Sequence, residues 1–199
     1  MEITSKPRSP EQFIYSLQNL VKTENRAALA ALRRGLGKTP GEAGETHRYI
    51  AYYIADLPDT KADNYYLVGS LFALHQISWN KEESLTLQKT NLGASFAKLK
   101  EKSDSESIEK RFVALLNSHQ EDLPSHLRHA VSLLKSNEIA IDWLRLLKDL
   151  QQWANDDRQV QRNWARAFWG AKAANETDET DKTQNQPSTE TESSTKSEN

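Results

Sequence analysis

The sequence predicts an all-α protein, a bundle of about nine helices, and three observations carry that prediction. Helix-start and helix-stop signals recur along the chain, apolar residues repeat at three- and four-residue spacing, and the period-2 alternation of strands is nowhere sustained.

The elements follow in order. Ser9-Pro10-Glu11-Gln12 has the form of a helix start, with Ser as N-cap, Pro at the first helical position and Gln at the capping-box position. Phe13, Leu17, Leu20 and Val21 supply its buried stripe. A second, alanine-rich helix spans about Glu24 to Arg34 and stops at Gly35-Leu36-Gly37, where arginines in the last turn suit the helix dipole. Thr39-Pro40-Gly41-Glu42 repeats the capping-box pattern and predicts a helix running to about Ala55. Asp56-Leu57-Pro58-Asp59 reads as a turn. The stretch from Tyr65 to His75 is apolar on nearly every side, as expected of a central helix. Trp79 to Thr90 is polar and reads as an exposed loop, leaving open a division into two small sub-bundles.

Short helices are predicted near Asn91–Lys100 and Ser105–Asn117, then from about Pro124 to Lys135 with Leu127, Val131 and Leu134 inward. Trp143, Leu146, Leu147, Leu150 and Trp153 form one wide apolar stripe. In the last helix Val160, Trp164 and Phe168 recur every fourth residue, and Arg158, Arg162 and Arg166 do so two positions earlier. That offset turns the helix by roughly 200°, so the arginine row is expected opposite the aromatic row. Trp143, Trp153 and Trp164 lie on core stripes and are read as packing residues. Trp79 and Trp169 are the tryptophans left for stacking or partner contact.

Composition bounds the function. The 199 residues carry 26 Lys plus Arg against 28 Asp plus Glu, a net charge of −2. Residues 171–199 hold seven of the acidic residues and three of the basic ones, so residues 1–170 keep 23 basic against 21 acidic and are mildly basic. The 171–199 segment has no aromatic or large aliphatic residue and is expected to be a disordered acidic tail, set apart from a 1–170 domain. Cysteine is absent, which removes disulfides, thiolate metal sites and cysteine nucleophiles and fits a reducing cytoplasm. Met-Glu-Ile-Thr-Ser-Lys-Pro has no apolar run and reads as no signal peptide, and no stretch approaches the ~20 apolar residues of a membrane span.

Enzyme chemistry finds little footing. Neither GxGxxG nor GxxxxGK[ST] occurs, nor a GxSxG elbow. His126 and His129, three apart on one helix after Glu121 and Asp122, are the one candidate metal pair; they leave a metal-dependent hydrolase as a minor alternative. His75, in the most apolar helix, reads as a hydrogen-bonded core histidine. The basic residues say more. Arg128 and Lys135 share a face opposite the Leu127/Val131 stripe, Arg145 and Lys148 share one opposite Trp143/Leu147, and Arg26 and Arg33 are seven apart. Arg111 keeps helical spacing with Ile108, Phe112 and Leu115, which puts it on an apolar face. Basic rows on several helices suit a phosphate backbone more than a base-reading site. A scaffold whose basic faces meet acidic protein partners is the competing reading.

Several strings taken together resemble one family. They are Leu32-Arg33-Arg34-Gly35 with Pro40, Leu71-Phe72-Ala73-Leu74-His75, Asn91-Leu92-Gly93, and Glu109-Lys110-Arg111-Phe112 with Leu115-Leu116. After them come His126-Leu127-Arg128, Ile141-Asp142-Trp143 and Asp149-Leu150-Gln151-Gln152-Trp153. In this order they resemble the CasB family, the small subunit of the type I-E CRISPR complex Cascade, over about residues 10–170. The resemblance implies an all-α, non-enzymatic, cytoplasmic subunit without cofactor or small-molecule substrate, used in antiviral defence. Its implied partners are a guide RNA, the target and displaced DNA strands, the Cascade backbone and large subunits, and a second copy of itself. It implies that Arg33, Arg34, Arg111, Arg128 and Lys148 hold nucleic acid, the last being arginine in some relatives. Lys135, Arg145, Arg158, Arg162 and Arg166 join them from helical spacing alone.

Overall fold

The structure is a computed structural model that describes residues 8–79, 90–103 and 105–170. The expected tail at 171–199, and most of the expected loop at Trp79–Thr90, lie outside the described residues. Among the described residues the chain forms nine α-helices: α1 Pro10–Lys22, α2 Arg26–Arg33, α3 His47–Ile54, α4 Asp59–Leu74, α5 Leu92–Lys102, α6 Glu106–Leu116, α7 Leu123–Ser136, α8 Trp143–Leu150 and α9 at 159–170.

Most helix starts are explained by local chemistry. The first turns of a helix leave backbone N–H groups without carbonyl partners, and side-chain oxygens take them up. Ser9 Oγ accepts from the Gln12 amide, Asn25 Oδ1 from Ala28, Asn91 Oδ1 from Ala94, and Asp142 Oδ1 from Arg145. The expected helix from Thr39 is the exception. The capping contact half forms, the Thr39 amide donating to the Glu42 carboxylate at 3.1 Å, yet α3 begins only at His47. Gly41, inside the expected helix, explains why: at φ +82° its left-handed backbone is incompatible with a helix interior, and the segment becomes a turn-rich wall.

One core runs through the whole bundle, from Phe13 and Leu17 of α1 to Trp164 and Phe168 of α9. The central helix is α4, which begins at Asp59, earlier than expected, and buries Tyr65, Val68, Leu71 and Phe72 against α2, α3, α7 and α8. The two expected halves therefore share one core. His75 follows α4 as a buried residue, 2% exposed, its Nε2 hydrogen-bonded to the Ile139 carbonyl at 2.6 Å. Burial holds its pKa below the ordinary histidine value, so the core histidine is neutral at neutral pH.

The final segment differs from its expected form in two places. The helix of Trp143 ends at Leu150, leaving Trp153 in a following turn, still buried and packed on Trp164 with ring centroids 5.0 Å apart. Asp149 lies under this pair, 5% exposed, accepting from Trp164 Nε1 at 2.7 Å and Arg145 Nε at 2.8 Å. On the other side, α9 packs so tightly on α5 that a Cβ at Gly93 would stand 2.0 Å from the Trp164 carbonyl oxygen. Trp143, Trp153 and Trp164 are thus core residues, as their spacing predicts.

Candidate nucleic-acid interface

The ten predicted basic residues divide by what already holds them. Arg33 directs both Nε and Nη2 at the Ala73 carbonyl, at 3.0 and 2.7 Å, closing the C-terminal turn of α4. Arg34 pairs with Glu45, and Lys148 Nζ with Glu11 at 2.6 Å. Arg145 is committed to the buried Asp149, and Arg158 Nη2 donates to the Leu116 carbonyl at 2.6 Å. Arg162 donates to the Asp157 carbonyl, and Arg166 Nη1 reaches Asn163 Oδ1 at 3.4 Å.

Three of the ten remain. Arg111, Arg128 and Lys135 are exposed, and their side chains make no hydrogen bond or ion pair with another described residue. Arg128 and Lys135 stand seven apart on α7, roughly 20° from one another around the helix axis, so their charges share one flank.

Two expectations are corrected here. Arg111 is on the edge of the apolar stripe of α6 and not within it: Leu116 is buried along with Ile108, Phe112 and Leu115, which swings the buried face away and leaves the guanidinium in solvent. The arginine row opposite the aromatic row has two helical members. Arg162 and Arg166 are exposed across α9 from buried Val160, Trp164 and Phe168, but Arg158 precedes the helix with φ +49°.

The tryptophan candidates for stacking are both engaged. Trp79 is half-buried, donates from Nε1 to Ser95 Oγ at 3.3 Å, and carries the Lys98 ammonium 3.7 Å above its ring. Trp169, 38% exposed, donates to Glu109 and meets Phe112 and Phe168 edge-on. Around His126 and His129 no group of three His, Asp or Glu side chains fit to hold a metal gathers among the described residues.

Two further cations escape sequence reasoning. Lys38 in the turn after α2 and Lys61 in the first turn of α4 line the same cleft as Arg128, a space of about 910 Å³ between the 35–43 segment, α4 and the start of α7. Both are exposed, and their side chains have no partner among the described residues. The signal for Lys38 is its place between Gly37 and Gly41, glycines that the sequence presents as helix punctuation. Nothing local marks Lys61, since only the packing of α4 against α7 brings it near Arg128.

The fold and this surface define an all-helical protein that turns unpaired cations outward. The chain belongs to the Cse2 family of CRISPR-associated proteins, also called CasB: the family model for CRISPR-associated protein Cse2 matches residues 28–169. It is 36% identical over 152 residues to a CRISPR-associated protein Cse2 of Thermus thermophilus, covering 75% of this chain and 83% of that relative. The crystal structure of M. ruber CasB superposes with a TM-score of 0.66 at 37% identity, over 76% of this chain and 88% of that one. A chain of a CRISPR RNA-guided surveillance complex does so with a TM-score of 0.68 at 26% identity, over 89% and 97% of the two chains.

Proposed function

We propose that this chain is the non-catalytic small subunit of an RNA-guided CRISPR surveillance complex, holding nucleic-acid backbone through charge and without reading sequence. Its partners are then the guide RNA–target DNA hybrid, the displaced DNA strand, the backbone and large subunits, and a second copy of the chain. The observation that carries the reading is the set of exposed cations on Arg111, Arg128 and Lys135, left without internal partners in a chain of this family. In guide-directed recognition base pairing supplies the sequence reading, and proteins stabilise the duplex and the displaced strand by backbone contacts. Unpaired, solvated cations suit that work, because each phosphate they neutralise releases counterions.

The test has two arms. The chain, tagged and purified from its own host, is expected in a large assembly holding short RNAs of uniform length; a lone monomer or dimer free of RNA overturns the reading. In that assembly Arg128→Glu with Lys135→Glu should weaken retention of the displaced strand and flatten its salt dependence by about 0.7 log units per lost phosphate contact. Unchanged retention in an intact assembly would make the chain a scaffold.

A further inference from the structure

The cleft beside Arg128 is a built cavity. Its outer wall, residues 35–43, is pinned to the helices behind it. The Gly41 carbonyl can only accept, so His47 donates to it from Nε2–H at 3.1 Å and accepts from the Tyr66 hydroxyl on Nδ1 at 2.6 Å. The arginine lies close against this wall. Its Nη1 would stand 2.6 Å from a Cβ on Gly37, and the left-handed backbone at that position, φ +75°, is what favours glycine there.

The lining combines apolar, cationic and neutral polar side chains, Thr46, Asn64, Ser70 and Gln151 among the last. Leu36, Pro40, Leu67 and Leu71 give it apolar surface, while Lys38, Lys61 and Arg128 add three exposed cations. Asp63 and Glu121 also line the space. Those two carboxylates oppose an acidic peptide laid along the cleft, whereas a neutral, planar group meets no such repulsion and can leave its anion to the three cations. The volume of about 910 Å³ lies within the roughly 300–1,000 Å³ usual for small-ligand clefts.

We propose that the cleft receives one unstacked nucleobase of the strand that Arg128 tracks, its phosphate held by Arg128, Lys38 and Lys61. The inference rests on the reading of the chain as a holder of nucleic acid and adds a place for a base to what was otherwise backbone contact. Guanidinium planes and apolar walls stack any base without reading its identity, so the site anchors register and not sequence.

The experiment titrates the full chain with two single-stranded octamers, one wholly abasic and one identical except for a single thymine. For the unaltered chain the thymine should tighten binding by about five- to tenfold, the lower range of a base–side-chain stack. Leu67→Trp and Leu36→Trp fill the cleft from two sides while keeping its charges, and either one that melts like the unaltered chain should lower that gain to less than about twofold. A gain of equal size in the filled variants, or salt-dependent binding indifferent to the thymine, overturns the base site and leaves the backbone reading standing. Absence of binding to both octamers overturns the two together.

Discussion

The guanidinium of Arg33, on α2, sends two hydrogen bonds to the single carbonyl of Ala73, forty residues away at the end of α4. The last carbonyls of a helix lack backbone partners, and a cation there satisfies them and offsets the helix dipole. Arg33 thereby fastens α2 to the central helix, whatever it contributes at the surface.

Arg33→Met is therefore expected to lower unfolding free energy by about 1–2 kcal/mol, the range for a hydrogen bond to a charged donor reduced for its exposure. Arg128→Met, which breaks no side-chain bond to a described residue, should stay within about 0.5 kcal/mol of the unaltered chain. Chemical denaturation of the two variants side by side checks the contrast.

Gly93→Ala should destabilise far more than its one methyl group suggests. The new Cβ would meet the carbonyl oxygen and carbon of Trp164 at 2.0 and 2.7 Å, and backbone has no rotamer by which to yield. Separating α5 from α9 is expected to cost about 3 kcal/mol or more, read as a lowered midpoint in urea.

Two carboxylates pull the stability of the fold in opposite directions with pH. Burial raises the pKa of Asp149 above the ordinary value, so its contribution is present below the unfolded-state pKa and lost as pH rises through the raised one. Lys148 lowers that of Glu11, whose contribution is present above the unfolded-state pKa and lost as pH falls through the lowered one. Asp149→Asn should gain on the unaltered chain as pH rises above about 4, and Lys148→Gln should close its deficit as pH falls below about 4. Denaturant midpoints measured on both sides of about pH 4 decide the two.

Where the sequence misleads, the cause is local chemistry overruled by backbone or by a neighbour. The stripes of Trp143, Leu147, Trp164 and Phe168 are legible because burial follows the 3.6-residue period directly. The start of α3 is not: the capping residues Thr39 and Glu42 do meet, but left-handed Gly41 turns the same stretch into the wall of the cleft. For the surface, spacing finds the basic rows but not their engagements. Arg145 and Lys148 look alike on a helical wheel, yet a carboxylate on α8 takes the first and one on α1 takes the second. Contacts between distant elements leave no local trace, which is why neither the place of Lys61 at the cleft nor the hold of Arg33 on α4 shows in the sequence.

The joint at Ser78 and Ile141 ties together parts of the chain far apart in sequence. Ser78 bridges Ile141, the Trp79 amide donates to the Ile141 carbonyl, and on the far side Thr90 Oγ1 donates to Asp142 Oδ2 at 2.9 Å. Residues 78–79 and Thr90 thus meet the same short segment, Ile141 and Asp142, at the start of α8. Asp142 thus serves two elements at once, its Oδ1 capping α8 at the Arg145 amide and its Oδ2 holding Thr90 before α5, so a change at this one carboxylate loosens a helix start and a chain crossing together.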